Sequence, residues 1–581
     1  MVVLPAPSCL LVAAVLVSAS TAGAAVLVRV EGVEGELQAA VRNHLQLHQY
    51  AERDISASQA QLLLGQAEQE AAAALQPYGY YHAKVRGELK PGEQPGSYEV
   101  LLRIEPGDPV TVTEANVEVS SAALEIPIVR GAVEAFRPKV GERLEHGVYE
   151  SSKATIATAL QTSGFFDAEL LRHRVSVTAS ANTADVDLAW NAGERFRFGD
   201  VRFPDTQFSD EFLRRYVPWG PDEYYTTEKL LQLQQRLVDA DYFSAVSVQP
   251  DVEHAANGLV PIDTLLVPAK RTVYKAGAYV STDSGPGVRL GVERRWLNDR
   301  GHKIGGQVEY SQRLQAFSTF YRIPRPGERN RNYNFAAGYR DEETDSSQSR
   351  TARLSAFETL DPWHGYTRTL GLQYLNGDFT IADEQRNSSL LFAEGTLTRK
   401  RADDLLFPGR GLSVSYVLRL AGEGLLSDTT LAQTQAHAKW VRPVGQRSRA
   451  IVRASLGAMA VDDFDALPPE LRFFAGGDRS IRGFDYQQIG ETNSAGGVIG
   501  GKFLTVASAE YEHYFLPKWG AAVFVDAGDA YSTRFEANVG AGIGVRWRSP
   551  VGIVRLDVAM PVKTDDEEDG VRLHVVIGPD L

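Results

Sequence analysis

An arginine set among turn-forming residues is the clearest place in this chain where residue type and spacing could do chemistry. It lies in GGDRSIRGFDY, Gly476 to Tyr486, as the run Ile481-Arg482-Gly483-Phe484. A guanidinium presents five donors in a planar fork and is costly to bury without acceptors. Acceptors stand in the next two segments of alternating apolar and polar residues. In Lys502–Phe515, Glu510 and Glu512 fall on the face opposite Phe503, Tyr511 and Phe515. In Trp519–Ala530, Phe524, Asp526 and Gly528 fall opposite Val523 and Val525. Glu510 and Asp526 therefore point the same way on neighbouring segments, and a carboxylate pair can hold one guanidinium by charge-assisted, partly bidentate hydrogen bonds. The competing account makes Arg482 a solvated loop charge and the acids ordinary residues of a wet interior. Spacing alone weighs the two equally.

Other chemistry is sparse. The chain has no HExxH, GxSxG or CxxC. Gly285-Pro286-Gly287 followed by Gly291 imitates a dinucleotide loop, but it lies among strand-like segments with no helix after it. No enzyme, cofactor or metal is expected. The net charge of −14 argues against a general nucleic-acid binder. The single cysteine, Cys9, lies in an N-terminal apolar run that ends Thr21-Ala22-Gly23-Ala24-Ala25. That run reads as a secretory signal peptide over residues 1–24, so the exported domains are expected to be stable without disulfides. No later run reaches the roughly 20 apolar residues of a spanning helix.

The elements that would position Arg482 fall into two textures. From Ala25 to Lys270 there are 22 Lys+Arg against 36 Asp+Glu, so the whole net charge resides there and the remainder is neutral. Within it ALQPYGYYHAKV, ALQTSGFFDAEL and RLVDADYFSAVSV repeat one pattern: an amphipathic helix, a turn, an aromatic pair and a strand. Each unit reads β-α-α-β-β, giving three α+β domains at 25–108, 109–195 and 196–270. From Tyr274 onward, long segments alternate outward apolar with inward polar residues, as transmembrane barrels do. Asn538–Arg548 is the clearest, with Val539, Ala541, Ile543, Val545 and Trp547 on one face and glycines, Arg546 and Arg548 on the other. Aromatics recur near segment ends, at Trp296, Tyr321, Trp363, Trp440, Phe515 and Trp519, as an interfacial girdle requires. The expected fold is a 16-stranded antiparallel transmembrane β-barrel over 271–581 behind the three domains. With those domains in the periplasm, the loop over 461–500 between strands eleven and twelve is extracellular, and long enough to fold back into the lumen.

The run IRGF, with ASAEYEHYF and FVDAGDAY after it, resembles the loop signature and following strands of the outer-membrane protein assembly superfamily, which includes BamA, Sam50 and two-partner secretion transporters. The repeats resemble its POTRA (polypeptide-transport-associated) domains. Three such domains, the barrel start at Gly277–Ile304 and the tail IGPDL are similar to its TamA-type branch. The isoleucine before Arg482 and the terminal Leu581 depart mildly from the family pattern. The resemblance implies that Arg482 anchors the loop in the lumen through Glu510 and Asp526, with Gly528 beside them. It also implies a weak seam between the first and last strands. The seam would be marked by Gly277 and Gly285 at one side and Gly578-Pro579 at the other, where proline cannot donate to a ladder. The partners it implies are a TamB-like inner-membrane-anchored periplasmic protein, unfolded autotransporter and outer-membrane clients, and the lipid bilayer. Lipid transport is a further role in that branch. The alternatives are a BamA-like general insertase, a two-partner secretion pore, and a passive porin, which would need neither repeats nor anchored loop.

Overall fold

The computed structural model describes residues 26–50, 56–92, 97–325, 331–404, 406–424, 426–550, 552–563 and 570–578; the expected signal peptide and Pro579 lie outside them. The chain forms two compact units: one holds the first two repeats, the other the barrel with much of the third.

In the first repeat, strands Val26–Glu31, Lys84–Pro91 and Tyr98–Glu105 form a sheet with the last strand in the middle, and helices Gly35–His44 and Ala57–Leu75 pack on it. The longer helix starts where the Ser56 hydroxyl accepts from the Gln59 N–H, satisfying an otherwise orphaned donor. Its Ala60, Leu63, Leu64, Ala67 and Ala71 recur at helical spacing and share one core with Val100, Leu102 and Ile104 of the central strand. The second repeat has the same sheet order but three helices rather than the expected two. Pro127, pre-set for a first helical position, restarts the chain as a separate helix, Pro127–Glu134. In the third, helix Thr227–Asp239 buries Leu230, Leu233 and Leu237 and leaves Leu231 exposed.

The aromatic pair of this third repeat is wholly buried, Tyr242 and Phe243 both packing near Phe208. The Tyr242 hydroxyl donates to the Gly301 carbonyl at 2.5 Å, and the Lys303 ammonium donates to the Ala240 carbonyl at 2.8 Å. Trp296 packs edge-on against Phe208 at 6.0 Å. Trp296 is half-buried at this junction, whereas Trp363, Trp440, Phe515 and Trp519 are exposed on the barrel.

The barrel strands are β1 Thr272–Ser281, β2 Gly285–Arg294, β3 Lys303–Ser311, β4 Leu314–Pro324, β5 Asn332–Glu343, β6 Ser347–Trp363, β7 Tyr366–Ile381, β8 Glu384–Ala402, β9 Gly411–Ala421, β10 Leu431–Val444, β11 Ser448–Val461, β12 Phe503–Tyr514, β13 Trp519–Tyr531, β14 Asn538–Ser549, β15 Gly552–Lys563 and β16 Arg572–Gly578. All sequential neighbours pair antiparallel, and the order closes on itself. Closure removes the edges whose backbone groups lipid could not satisfy. Alternation is strict where the sequence alternates: along β12 and β13, Phe503, Tyr511, Val523 and Val525 are exposed outward, while Glu510, Glu512 and Asp526 are buried.

One expectation about glycines is corrected and another is located. Gly285 does not interrupt the first strand. That strand ends at Ser281, and Gly285 opens β2 with φ of 76°, a left-handed conformation that lets the chain leave the turn. Gly528 is buried on the inward face. It is pressed against the backbone of Thr505 and Val506 on β12, which a side chain there would strike.

Candidate functional site

The segment between β11 and β12 enters the lumen and builds a core of its own there. Leu467, Leu471, Phe473, Ile481 and Phe484 are buried and cluster with Leu375, Leu390 and Phe392 from the barrel wall. A second arginine, unanticipated from sequence, ties the segment internally: Arg472 donates to the carbonyls of Leu467, Ile499 and Asp465. Arginine satisfied by carbonyls suits a stretch with few regular backbone hydrogen bonds.

Arg482 projects from this core into the wall. Its Nε and Nη2 donate to the two oxygens of Asp526 at 2.7 and 3.0 Å, a bidentate grip. Its Nη1 donates to Glu510 at 2.9 Å and to Asp557 of β15 at 3.0 Å. Its backbone N–H also reaches Asp526, at 3.1 Å, and its guanidinium lies 3.4 Å from the centre of the Phe524 ring. The side chain is 3% exposed and that of Asp526 is fully buried, so these are pairs out of water and not a solvated loop charge. The backbone can come this close because two positions carry no side chain. A Cβ on Gly540 would fall 1.8 Å from the Arg482 carbonyl. Gly483 has φ of 102°, and a Cβ there would meet the Met560 carbonyl carbon at 2.8 Å.

The acids are shared further down the wall. Arg546 of β14, fully buried, donates to Glu510 at 2.6 Å, to Glu512 at 2.9 Å and to Asp557. Arg449 of β11 donates to Glu512 at 2.5 Å and to the Pro408 carbonyl at 2.7 Å. Arg548 and Arg449 flank the Phe407 ring, at 3.3 and 4.1 Å from its centre. A continuous ladder thus runs from the β8–β9 turn through Arg449, Glu512, Arg546 and Glu510 to Arg482. Sequence parity places Glu512 and Arg546 inward, but it does not show that they stand at one height with Asp557. Buried pairs of this kind contribute little net stability over apolar packing, but breaking one partner is costly, so they fix geometry.

The tip also touches the last strand. The Gly483 N–H donates to Nε2 of His574 on β16 at 3.1 Å, and Arg572 donates to the Gly483 carbonyl at 2.6 Å and to Asp485 at 3.0 Å. Between β1 and β16 only one register pair, Ser281 with Val576, joins the strands among the described residues, against ten between β1 and β2. Gly277 lies within β1 with open space beside it, and Gly578 ends β16.

Residues 296–580 match the Omp85 superfamily domain; residues 27–106 match a POTRA domain described as TamA domain 1, and residues 196–265 match a POTRA model described as surface antigen variable number repeat. The outer membrane protein assembly factor BamA of Nitratidesulfovibrio vulgaris is 32% identical over 123 residues, which are 20% of this chain and 15% of that protein. The chain therefore matches only a small part of that relative's length. In structure, the crystal structure of BamA from Haemophilus ducreyi lacking POTRA domains 1–3 is similar, with a TM-score of 0.68 at 16% identity, over 81% of this chain and 99% of that one. At that identity the likeness concerns the fold.

Proposed function

We propose, for a chain that carries an Omp85 superfamily barrel behind POTRA domains in the outer membrane, that it assembles or secretes β-rich clients through the seam between β1 and β16. The observation that carries this is the contrast across the barrel: every other junction is a full antiparallel ladder, while the seam has one register pair among the described residues. An unpaired edge of β1 offers N–H and C=O groups to an incoming strand, which gains main-chain hydrogen bonds by β-augmentation. The anchored loop fills the lumen beside that edge, so the wall away from the seam keeps its shape while the seam opens. The chemistry is strand exchange, with no bond made or broken covalently, and no cofactor enters.

The finer reading is a TamA-type factor whose clients include autotransporters and whose periplasmic domains work with a TamB-like partner anchored in the inner membrane. The match of residues 27–106 to TamA domain 1 supports it over a general insertase. A cysteine pair at Ser281 and Val576 tests the seam. These positions face each other in register, close enough for a disulfide in an antiparallel pair. Oxidised, the Ser281→Cys/Val576→Cys barrel is expected to stop client assembly, and reduction to restore it; undiminished assembly with the seam locked would refute the proposal.

A further inference from the structure

The loop does more at the seam than fill the lumen. Asp478, four positions before Arg482 and 6% exposed, stands between the two seam strands. Its Oδ1 accepts from the Thr282 hydroxyl, just past the end of β1, at 2.6 Å. The same oxygen pairs with Nδ1 of His574 on β16 at 2.8 Å. The other ring nitrogen of His574 accepts the Gly483 N–H, so Nδ1 carries the proton and donates to Asp478. The Asp478 backbone N–H reaches the Asp283 carboxylate at 3.2 Å, and the Thr282 hydroxyl in turn accepts from the Val575 N–H at 3.4 Å. The first strand, the loop and the last strand are thus joined at one carboxylate, where the strands themselves share a single register pair among the described residues.

We infer that Asp478 is a clasp: through Thr282 on one side and His574 on the other it ties the seam strands together, and its hydrogen bonds set how often the seam opens. Asp478 and His574 are positioning residues here; they touch no client. The loop's seat in the ladder supplies the rigid base, since Arg482 holds the segment while Asp478 holds the strands. Opening the seam requires Thr282 to leave Asp478 or Asp478 to leave His574, and the ladder can stay intact in either case.

The test measures opening without any client. In the full chain carrying Cys9→Ser, nitroxide labels on Val280→Cys and Ile577→Cys, both exposed, report the distance across the seam in lipid nanodiscs by pulsed electron resonance. Each lost hydrogen bond is expected to raise the ratio of long to short distances about two- to tenfold. Thr282→Val removes the hydroxyl and should raise it, while Thr282→Ser keeps the hydroxyl and should match the parent. Asp478→Ala should raise it further, while Asp478→Asn, whose Oδ1 still accepts from both partners, should stay near the parent. The inference is overturned if Thr282→Val equals Thr282→Ser and Asp478→Ala leaves the distances unchanged. If Asp478→Ala yields no heat-modifiable barrel, His574→Phe decides in its place, because it removes the donor to Asp478 and leaves the Thr282–Val575 contact: the ratio should rise, and an unchanged ratio overturns the inference. The clasp rests on the seam reading given above, but the two fail separately: a locked seam that still assembles clients would refute that function and leave these distances to judge the clasp.

Discussion

Replacing Arg482 by alanine removes the centre of the loop anchor, and the structure sets the size of the effect. Four side-chain hydrogen bonds to Asp526, Glu510 and Asp557 disappear, leaving buried carboxylates short of a cation. Breaking a buried pair by removing one partner costs about 3–5 kcal/mol. Two cations remain close: Arg546 holds Glu510 and Asp557, and Arg453 lies 3.6 Å from Asp526. They place the loss at the low end, about 3 kcal/mol, which is about a hundredfold in the balance between seated and unseated loop. Amide hydrogen exchange of the segment 476–486 in the full chain reads that balance directly, because protection falls with the free energy of local opening. Arg482→Ala is expected to lose about a hundredfold in protection there, while the barrel stays heat-modifiable in gels and client assembly drops. Arg482→Lys, with a charge but no planar fork, should lose about tenfold. Arg482→Met combined with Asp526→Asn should recover part of the loss, since removing both partners leaves less charge stranded. Parent-like protection in Arg482→Ala would show that apolar packing alone seats the loop, and the anchoring account would fall.

Two further outcomes follow from the same geometry. Gly540→Ala should unseat the tip, because its Cβ would fall 1.8 Å from the Arg482 carbonyl, whereas Gly277→Ala, with nothing within 4 Å, should not; exchange over 476–486 compares them. The Asp283 carboxyl, in the β1–β2 turn, is pushed up to about 7 by burial and by the nearby Asp478 carboxylate; the Asp478 backbone N–H and the Arg479 cation oppose the shift, and the His574 ring also faces it. Its raised value means that the closed seam binds more protons than the open one between the ordinary carboxylate range and about 7, so closure weakens as pH rises through that window and levels off above it. Seam distances at about pH 5.5 and about pH 8 should therefore differ, with more opening at the higher pH, and Asp283→Asn should reduce that difference. Equal distances at both pH values would contradict this.

The period-two pattern carried much of the barrel into view, because lipid on one side and water on the other impose opposite demands on successive residues. Parity alone set Glu510 and Asp526 inward on adjacent strands, where the structure joins both to Arg482. Height along the barrel axis was not legible. It depends on how neighbouring strands are staggered, and nothing in the spacing of Arg546, Glu512 and Asp557 reveals that they meet at one level. The contact of Asp478 with Thr282 and His574 was hidden for the same reason, since it joins the first turn, the loop and the last strand.

The ladder reinforces only one flank of the barrel. Across β11 to β15, Arg449, Glu510, Glu512, Asp526, Arg546 and Asp557 are out of water, with Arg546 and Glu512 both fully buried. On the opposite side of the seam the corresponding lumen pair, Arg289 of β2 with Glu309 of β3, leaves the arginine half exposed, and water screens it. The two sides of the opening therefore differ in compliance. On the seam reading proposed above, one side would act as a stiff jamb and the other as a leaf, and an incoming strand would peel back the first hairpin and bend the last strands little. The direction of entry would then be set by where the barrel is soft.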